Sequence, residues 1–323
     1  MGESARRREG SPESGTRELA GPARIWASCL AVLVLAASLC GCGHSGSSGE
    51  AQAPPAEAIE NKGSDTLVNL ALAWAEQYMQ IEPNVRISVT GGGSGTGIAA
   101  LINGTVDLAN ASRDIKPEEI EAARRNGIEP VEHVVALDAI AVIVHLDNPV
   151  ERLSLEQISD IYTGKITNWS EIGGEDRPIV LLSRESNSGT YVYFLEEAIR
   201  MGQESDLLFA TDTLLMPSSE GIIEETSQNR NAIGYDGLGY VTSHVKVVAV
   251  ARSAEGPFIM PSADTVNDNT YPIARPLYMY TDADPSERVQ TYLEWILSEG
   301  QVAVDDLGFV PLTEHASEID ERD

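Results

Sequence analysis

Cysteine is missing from most of the chain: Cys29, Cys40 and Cys42 are the only three. The sequence beyond them therefore has no disulfide, no thiolate metal site and no cysteine nucleophile. Positive charge is scarce as well, with Lys+Arg at 22 against 50 Asp+Glu and a formal net charge of −28 over 323 residues. Nucleic acid and anionic membrane surfaces are bound by neutralising phosphates with cations, so a chain this acidic is excluded from both roles. Lysine occurs only at Lys62, Lys116, Lys165 and Lys246, a balance suited to saline surroundings that screen self-repulsion. The five histidines (His44, His133, His145, His244, His315) include no pair at the three- to five-residue spacing of a zinc site. Each reads as a surface or strand residue, and no resident metal or cofactor is expected.

Arg6, Arg7, Arg8, Arg17 and Arg24 precede an apolar run from Ile25 to Leu39. The run is short for a bilayer span but suits the apolar segment of a secretory signal. It ends in Leu39-Cys40-Gly41-Cys42-Gly43, which resembles a bacterial lipobox, with Cys42 the better lipidation site because Cys40 follows bulky Leu39. The alternative is an ordinary signal cleaved nearby. The arginine triplet leaves general secretory and twin-arginine export both open. Residues 1–41 then form a signal peptide and residues 42–56, rich in Gly, Ser, Ala and Pro, a flexible tether. A lipid at Cys42 would anchor the chain without spanning the membrane. No later apolar segment has membrane length, so the folded body is expected to be extracytoplasmic.

Within the body, short β-rich runs alternate with helical ones, which argues an α/β fold. Val85–Val89, Ile140–His145, Ile179–Leu182 and Val245–Val250 are predicted strands. Leu67, Leu70, Ala71, Trp74, Ala75, Tyr78 and Met79 recur at helical spacing, and Pro83 closes that segment.

Three Gly/Ser/Thr clusters each stand where a helix is predicted to begin. Gly63-Ser64-Asp65-Thr66 precedes the helix from Leu67. Gly91 to Gly97 (with Ser94 and Thr96) lies between the Val85–Val89 strand and Ile98–Ile102. Ser186-Asn187-Ser188-Gly189-Thr190 lies between Ile179–Leu182 and a helix from Tyr191 to Arg200. A helix N-terminus offers unpaired N–H donors and about half a positive charge. Three converging termini, with Arg184 four residues before Ser188, would suit an oxyanion. The alternative for each cluster is a simple helix cap.

Other anion chemistries lack their signatures. No cluster contains the lysine of a phosphate-binding loop. The dinucleotide pattern G-x-G-x-x-G fails, since counting from Gly91 or Gly93 puts Thr96 or Ile98 at the sixth position. No Gly-x-Ser-x-Gly elbow exists for a serine hydrolase.

These clusters recur within a longer series: Asn110-Ala111-Ser112-Arg113; Ile161 to Trp169 (Ile-Tyr-Thr-Gly-Lys-Ile-Thr-Asn-Trp); Ala232-Ile233-Gly234-Tyr235; and Gly300-Gln301 through Gly308-Phe309-Val310-Pro311-Leu312. In order and spacing, from about Ile59 to Leu312, the series resembles the phosphate-binding lipoproteins of phosphate ABC importers, a family of type II periplasmic-type solute-binding proteins. The resemblance implies two α/β lobes, each a mixed sheet flanked by helices, joined by two crossover strands, with ligand bound between them. Lobe one would comprise 57–138 and 246–318, lobe two 139–245, with an acidic tail at 319–323. It carries phosphate contacts onto Ser64, Asp65, Thr66, Ser94, Ser112, Arg113, Arg184, Ser188, Gly189 and Thr190, and makes Trp169 a packing residue.

The resemblance also implies a receptor that performs no chemistry. Its partners would be inorganic phosphate and the permease and ATPase subunits of an ABC importer, and it would be a monomer held to the membrane by its lipid alone. One position departs from the family pattern. Phosphate-specific relatives carry a carboxylate where this chain has Arg113, and that carboxylate accepts the proton of a protonated phosphate, which sulfate, molybdate and tungstate lack. Asp65, Asp114 and Asp138 are the candidate replacements, with Asp65 first because it lies in a binding turn. A receptor for one of those other oxyanions is therefore the alternative. An extracytoplasmic phosphatase is a further one, and it would need a metal or general base that the sequence does not offer.

Overall fold

The computed structural model describes residues 57–312. The signal segment, Cys42, the tether and the acidic tail lie outside the described residues.

Ten strands occur among the described residues: β1 (Glu57–Gly63), β2 (Val85–Thr90), β3 (Leu108–Ala111), β4 (Pro130–His145), β5 (Arg152–Ser154), β6 (Val180–Arg184), β7 (Leu214–Met216), β8 (Ala232–Gly237), β9 (Val245–Ala251) and β10 (Ala274–Asp282). The helices are α1 (Asp65–Ile81), α2 (Ser94–Ile102), α3 (Pro117–Arg125), α4 (Leu155–Tyr162), α5 (Gly189–Phe194), α6 (Ser219–Gln228), α7 (Ala263–Asn267), α8 (Glu287–Leu297) and α9 (Gln301–Asp306). A π-helical turn, Leu195–Ile199, continues α5.

The strands pair in the order β2-β1-β3-β10-β4-β8-β6-β7, with β9 beside the second half of β4 and β5 beside β9. β4 organises this path. Its first ten residues pair antiparallel with β10, and Ile140–His145 pair with β8 on one edge and β9 on the other. Two mixed sheets thus share one 16-residue strand. Both faces of that strand are covered, which is why its sequence from Val134 to Val144 is a nearly continuous β-branched and apolar run. Side chains alternate across a strand. Ile140, Val142 and Val144 accordingly join one core with Leu153, Ile158, Phe194, Tyr235, Val248 and Val250, while Ala141 and Ile143 join the other with Leu182 and Ile222.

Helix α1 forms where the apolar spacing predicts it, but it starts two residues earlier, at Asp65. Leu67, Leu70, Ala71, Trp74, Ala75 and Tyr78 are buried against Ile59, Ile87 and the Tyr292–Leu293–Ile296 face of α8. Each large side chain so buried contributes roughly 1.5–3 kcal/mol. Trp74 also donates its indole Nε1–H to Gly300 O at 2.7 Å, tying α1 to the turn before α9.

The expected strand Val245–Val250 is β9, but the sheet it joins is informative. The family resemblance assigns 246–318 to lobe one, whereas β9 pairs with Val142–His145 and β5. The chain after it, including Val266, Tyr271 and Ile273, packs in the core formed by the second half of β4. Pairing with the first half of β4 resumes only at Ala274. No helix among the described residues is long and apolar enough to cross a membrane.

Candidate functional site

The three Gly/Ser/Thr corners come together. Ser64 stands between β1 and α1, Gly93 before α2 and Ser188 before α5, each at the N-cap position. A serine at such a place ordinarily turns its hydroxyl back onto the N2 or N3 amide. Ser154, Ser218 and Ser262 do so in this protein, before α4, α6 and α7. Ser64 and Ser188 make no such bond, nor does Ser286 before α8, and Gly93 has no side chain to make one. Ser64 instead donates to Ser112 Oγ at 2.9 Å, and Ser94 Oγ lies 3.3 Å from the same atom while accepting from Ser112 N at 3.0 Å. Across the cleft, Thr66 Oγ1 and Thr190 Oγ1 are 2.8 Å apart. Ser64, Thr66, Ser94, Ser112, Ser188 and Thr190 are all buried.

Two glycines make this approach possible. Gly93 has φ +87°, a left-handed value, and a side chain there would strike Asn187 O at 2.7 Å. A Cβ on Gly189 would sit 2.5 Å from Ser112 Oγ and closer still to Ser94 Oγ. Bonds form across this close approach: Gly95 N donates to Asn187 O at 3.0 Å, and the Asn187 side-chain Nδ2 donates to Gly92 O at 2.9 Å.

The expected cations divide. Arg184, at the end of β6, is 1 % exposed and crosses to α1, donating to Asp65 Oδ2 at 2.7 Å. It also donates to Ser219 Oγ at 2.8 Å and lies 3.7 Å from Asp236. Arg113 does not share this arrangement. Its guanidinium forks onto Glu119 at 2.7 and 2.8 Å and donates to Asp114 O. Burial raises the Glu119 carboxyl, but the Arg113 fork and Lys116 outweigh it and hold Glu119 below the usual carboxylate value.

The three candidate proton-accepting aspartates are all engaged. Asp65 accepts from Arg184 with one oxygen and from Gly92 N, at 2.8 Å, with the other. Asp114 accepts from Tyr278 OH at 2.5 Å. Asp138 is fully buried and pairs with Arg275 at 2.9 Å, with Leu238 N donating to its other oxygen. Burial pushes the Asp138 and Asp236 carboxyls up, against the pull of Arg275 and Arg184 respectively.

Sequence reasoning missed Arg275. It sits on β10 directly opposite Asp138 on β4 and donates to Thr190 Oγ1 (3.0 Å), Thr66 Oγ1 (3.4 Å) and Ser112 O (2.8 Å). The available signal was a charge inside an apolar strand run, at both Asp138 and Arg275, since a charge in a core requires a partner. Trp169, expected to pack, is 1 % exposed and donates to Asn231 O at 2.9 Å. Among the described residues no group of three or more His, Cys, Asp or Glu could hold a metal ion.

Hydroxyls and first-turn N–H groups at the starts of α1, α2 and α5 are the donors a small oxyanion accepts. The family model for the PBP superfamily domain matches residues 48–300. The phosphate-binding protein PstS of Pseudomonas aeruginosa is 35% identical over 278 residues, covering 80% of this chain and 84% of that one. The Bacillus subtilis protein of the same name is 31% identical, covering 84% and 89%. An ABC-transporter substrate-binding protein from Clostridium perfringens, solved with bound phosphate, superposes with a TM-score of 0.72 at 33% identity, over 80% of this chain and all of the other. On that breadth of likeness, the chain belongs to the PBP superfamily and, within it, to the family of the PstS phosphate-binding proteins.

Proposed function

We propose that this protein is an extracytoplasmic receptor that captures inorganic phosphate between two lobes and delivers it to the permease and ATPase subunits of an ABC importer. It acts as a monomer and is held to the membrane by a lipid on Cys42. The observation that carries the reading is the meeting of buried hydroxyls from three helix starts, Ser64 and Ser94 around Ser112 and Thr66 against Thr190. Ser64 turns away from its own helix to join them, and hydroxyls gathered at helix N-termini suit a bound anion.

In this reading lobe one comprises residues 57–138 and 274–312, and lobe two residues 139–273. Taking the return crossing at Ala274 in place of 246 is supported by the pairing of β9 with the far half of β4. Ser64, Thr66, Ser94 and Ser112 from lobe one, with Arg184, Ser188, Gly189 and Thr190 from lobe two, contact the anion. Asp65 orients Arg184, and Arg113 stays with Glu119 as a second layer beneath Gly95. Closure excludes water around the anion and strengthens each of these bonds. The importer can then distinguish loaded from empty receptor by the closed form.

The test is calorimetric titration of the ligand-stripped protein with phosphate, sulfate and molybdate between pH 6 and 9. Tight binding of phosphate with no sulfate heat is expected. Equal binding of sulfate or molybdate would reject phosphate as the ligand, and silence toward all three would reduce the converging hydroxyls to packing.

A further inference from the structure

Arg275 is 2 % exposed and makes contacts on both sides of the cleft. Toward its own sheet it holds Asp138 with Nη2 (2.9 Å) and Nε (3.3 Å), and Ser112 O with Nη1 (2.8 Å). Toward the other side it reaches α5: Nη2 donates to Thr190 Oγ1 at 3.0 Å, and its guanidinium lies 5.6 Å from the centre of the Tyr193 ring. Thr190 and Tyr193 are three residues apart on α5 and so share a face. Tyr193 completes the grip by donating its hydroxyl to Ala274 O at 2.5 Å. Two successive residues of β10 are thus clasped by one face of the helix whose N-terminus carries Ser188 and Gly189.

We infer that Arg275, clasped by Thr190 and Tyr193 of α5, is the latch of the closed receptor: a positioning residue that couples anion capture to lobe closure. This rests on the receptor reading above. Asp138, on β4, and Ser112, directly after β3, belong to the same sheet region as β10 and stay with Arg275 whatever α5 does. The Thr190 and Tyr193 contacts form only when α5 arrives. Once formed, they fix the chemistry of the site. Arg275 has no acceptor atom, so Thr190 Oγ1 accepts from Nη2 at 3.0 Å, with Thr66 Oγ1 sharing that proton at 3.4 Å. One threonine hydroxyl then donates to the other, which leaves the second hydroxyl proton to donate to the anion. The latch therefore turns a pair of ambivalent hydroxyls into a donor. Arg275 also supplies a guanidinium matched by a single carboxylate, so its charge is not spent twice.

The experiment measures phosphate affinity by calorimetry, association and dissociation rates by stopped flow, and compaction on binding by small-angle scattering, for wild type, Arg275→Lys, Arg275→Gln and Tyr193→Phe. Arg275→Gln removes charge-assisted bonds to α5 and is expected to weaken phosphate binding roughly 10–100-fold, through faster dissociation, with less compaction. Arg275→Lys keeps the charge and should recover part of that loss. Because Arg275→Gln leaves Asp138 buried without its partner, it risks misfolding. Tyr193→Phe leaves that pair intact and removes only the Ala274 bond, so dissociation should quicken about 3–10-fold with association unchanged. If wild type binds phosphate while Tyr193→Phe, and any folded Arg275→Gln, release it at the wild-type rate, the latch is refuted and the receptor stands. If wild type ignores phosphate, the receptor reading and the latch fall together.

Discussion

Gly189→Ala isolates the closing of the cleft from every other property of the protein. Gly189 opens α5, with backbone angles that any residue adopts, so the added methyl strains nothing within its own chain segment. Its neighbours belong to the other side. The methyl carbon would lie 2.5 Å from Ser112 Oγ, 3.0 Å from Ser112 C and closer still to Ser94 Oγ. Van der Waals contact needs roughly 3.5 Å, so α5 must back away by about 1 Å. A retreat of that size breaks the 2.8 Å Thr66–Thr190 bond and stretches the Arg275–Thr190, Tyr193–Ala274, Arg184–Asp65 and Gly95–Asn187 bonds. One neutral bond lost and four weakened, two of them charged, amount to about 2–4 kcal/mol of closed-form stability. Phosphate affinity should therefore fall roughly 30- to 1000-fold. The thermal midpoint without ligand should hold or rise slightly, since Ala is the better helix former. Calorimetry with phosphate and a thermal melt without it read the two effects separately. Binding within threefold of wild type would refute the cross-cleft packing argument, and a large loss of unliganded stability would show that the clash lies inside the fold.

Asp65→Asn should weaken phosphate and sulfate by the same factor, about tenfold, because both Asp65 oxygens already serve Arg184 and Gly92; a loss confined to phosphate, seen by competition titration, would restore Asp65 as the proton acceptor. Trp74→Phe removes one of the two bonds to the Gly300 carbonyl, which keeps Ala303 N at 3.1 Å, costing about 0.5–1.5 kcal/mol and lowering the thermal midpoint by roughly 1–5 °C. Phosphate affinity should stay within twofold, and a larger change would tie α1 packing to the site. For Asp236→Asn the pH dependence decides. Burial raises the folded Asp236 carboxyl above its ordinary 3.8, so from that value upward the folded protein keeps a proton the unfolded chain has lost. This group's contribution to stability therefore falls as pH rises through the window. Asn cannot titrate, so the variant's midpoint should gain on wild type as pH rises above the ordinary aspartate value, and a constant offset would show that Asp236 does not titrate in the folded protein.

Much of the site was legible because it is local. A strand, a glycine-bearing turn with hydroxyls, and an amphipathic helix lie within some twenty residues of one another, and each corner can be read without knowing the rest of the chain. What those hydroxyls do was not local. Whether Ser64 caps α1 or turns to Ser112 depends on a residue 48 positions away. Arg275 and Asp138 stand 137 residues apart, and only the register of β10 on β4 makes them partners. Arg113 is implied as a phosphate contact, whereas its bond to Glu119, six residues on, forms only through the turn into α3. The pairing of β9 is not local either. Val245–Ala251 is a strand on its own merits, but nothing within it says which half of β4 it will join.

The electrostatics of the site explain how a chain with formal charge −28 can hold an anion at all. Net charge does not attract the ligand, and the buried arginines do not supply a surplus either. Arg184 faces Asp65 and, at 3.7 Å, Asp236; Arg275 faces Asp138; Arg113 faces Glu119. Three guanidinium groups are thus met by four carboxylates before any ligand arrives. The attraction must come from dipoles: Ser and Thr hydroxyls, and first-turn N–H groups aligned by their helices. Dipoles act at contact distance and fade quickly beyond it, so they hold an anion only when it is fully enclosed. A phosphate in a half-open cleft would meet the acid surface with little to offset it, whereas in the closed cleft every donor faces it in a water-excluded space. Closure is then a requirement of binding and not a consequence of it. That is why Gly189, which contributes no side chain, governs the site as firmly as Arg184.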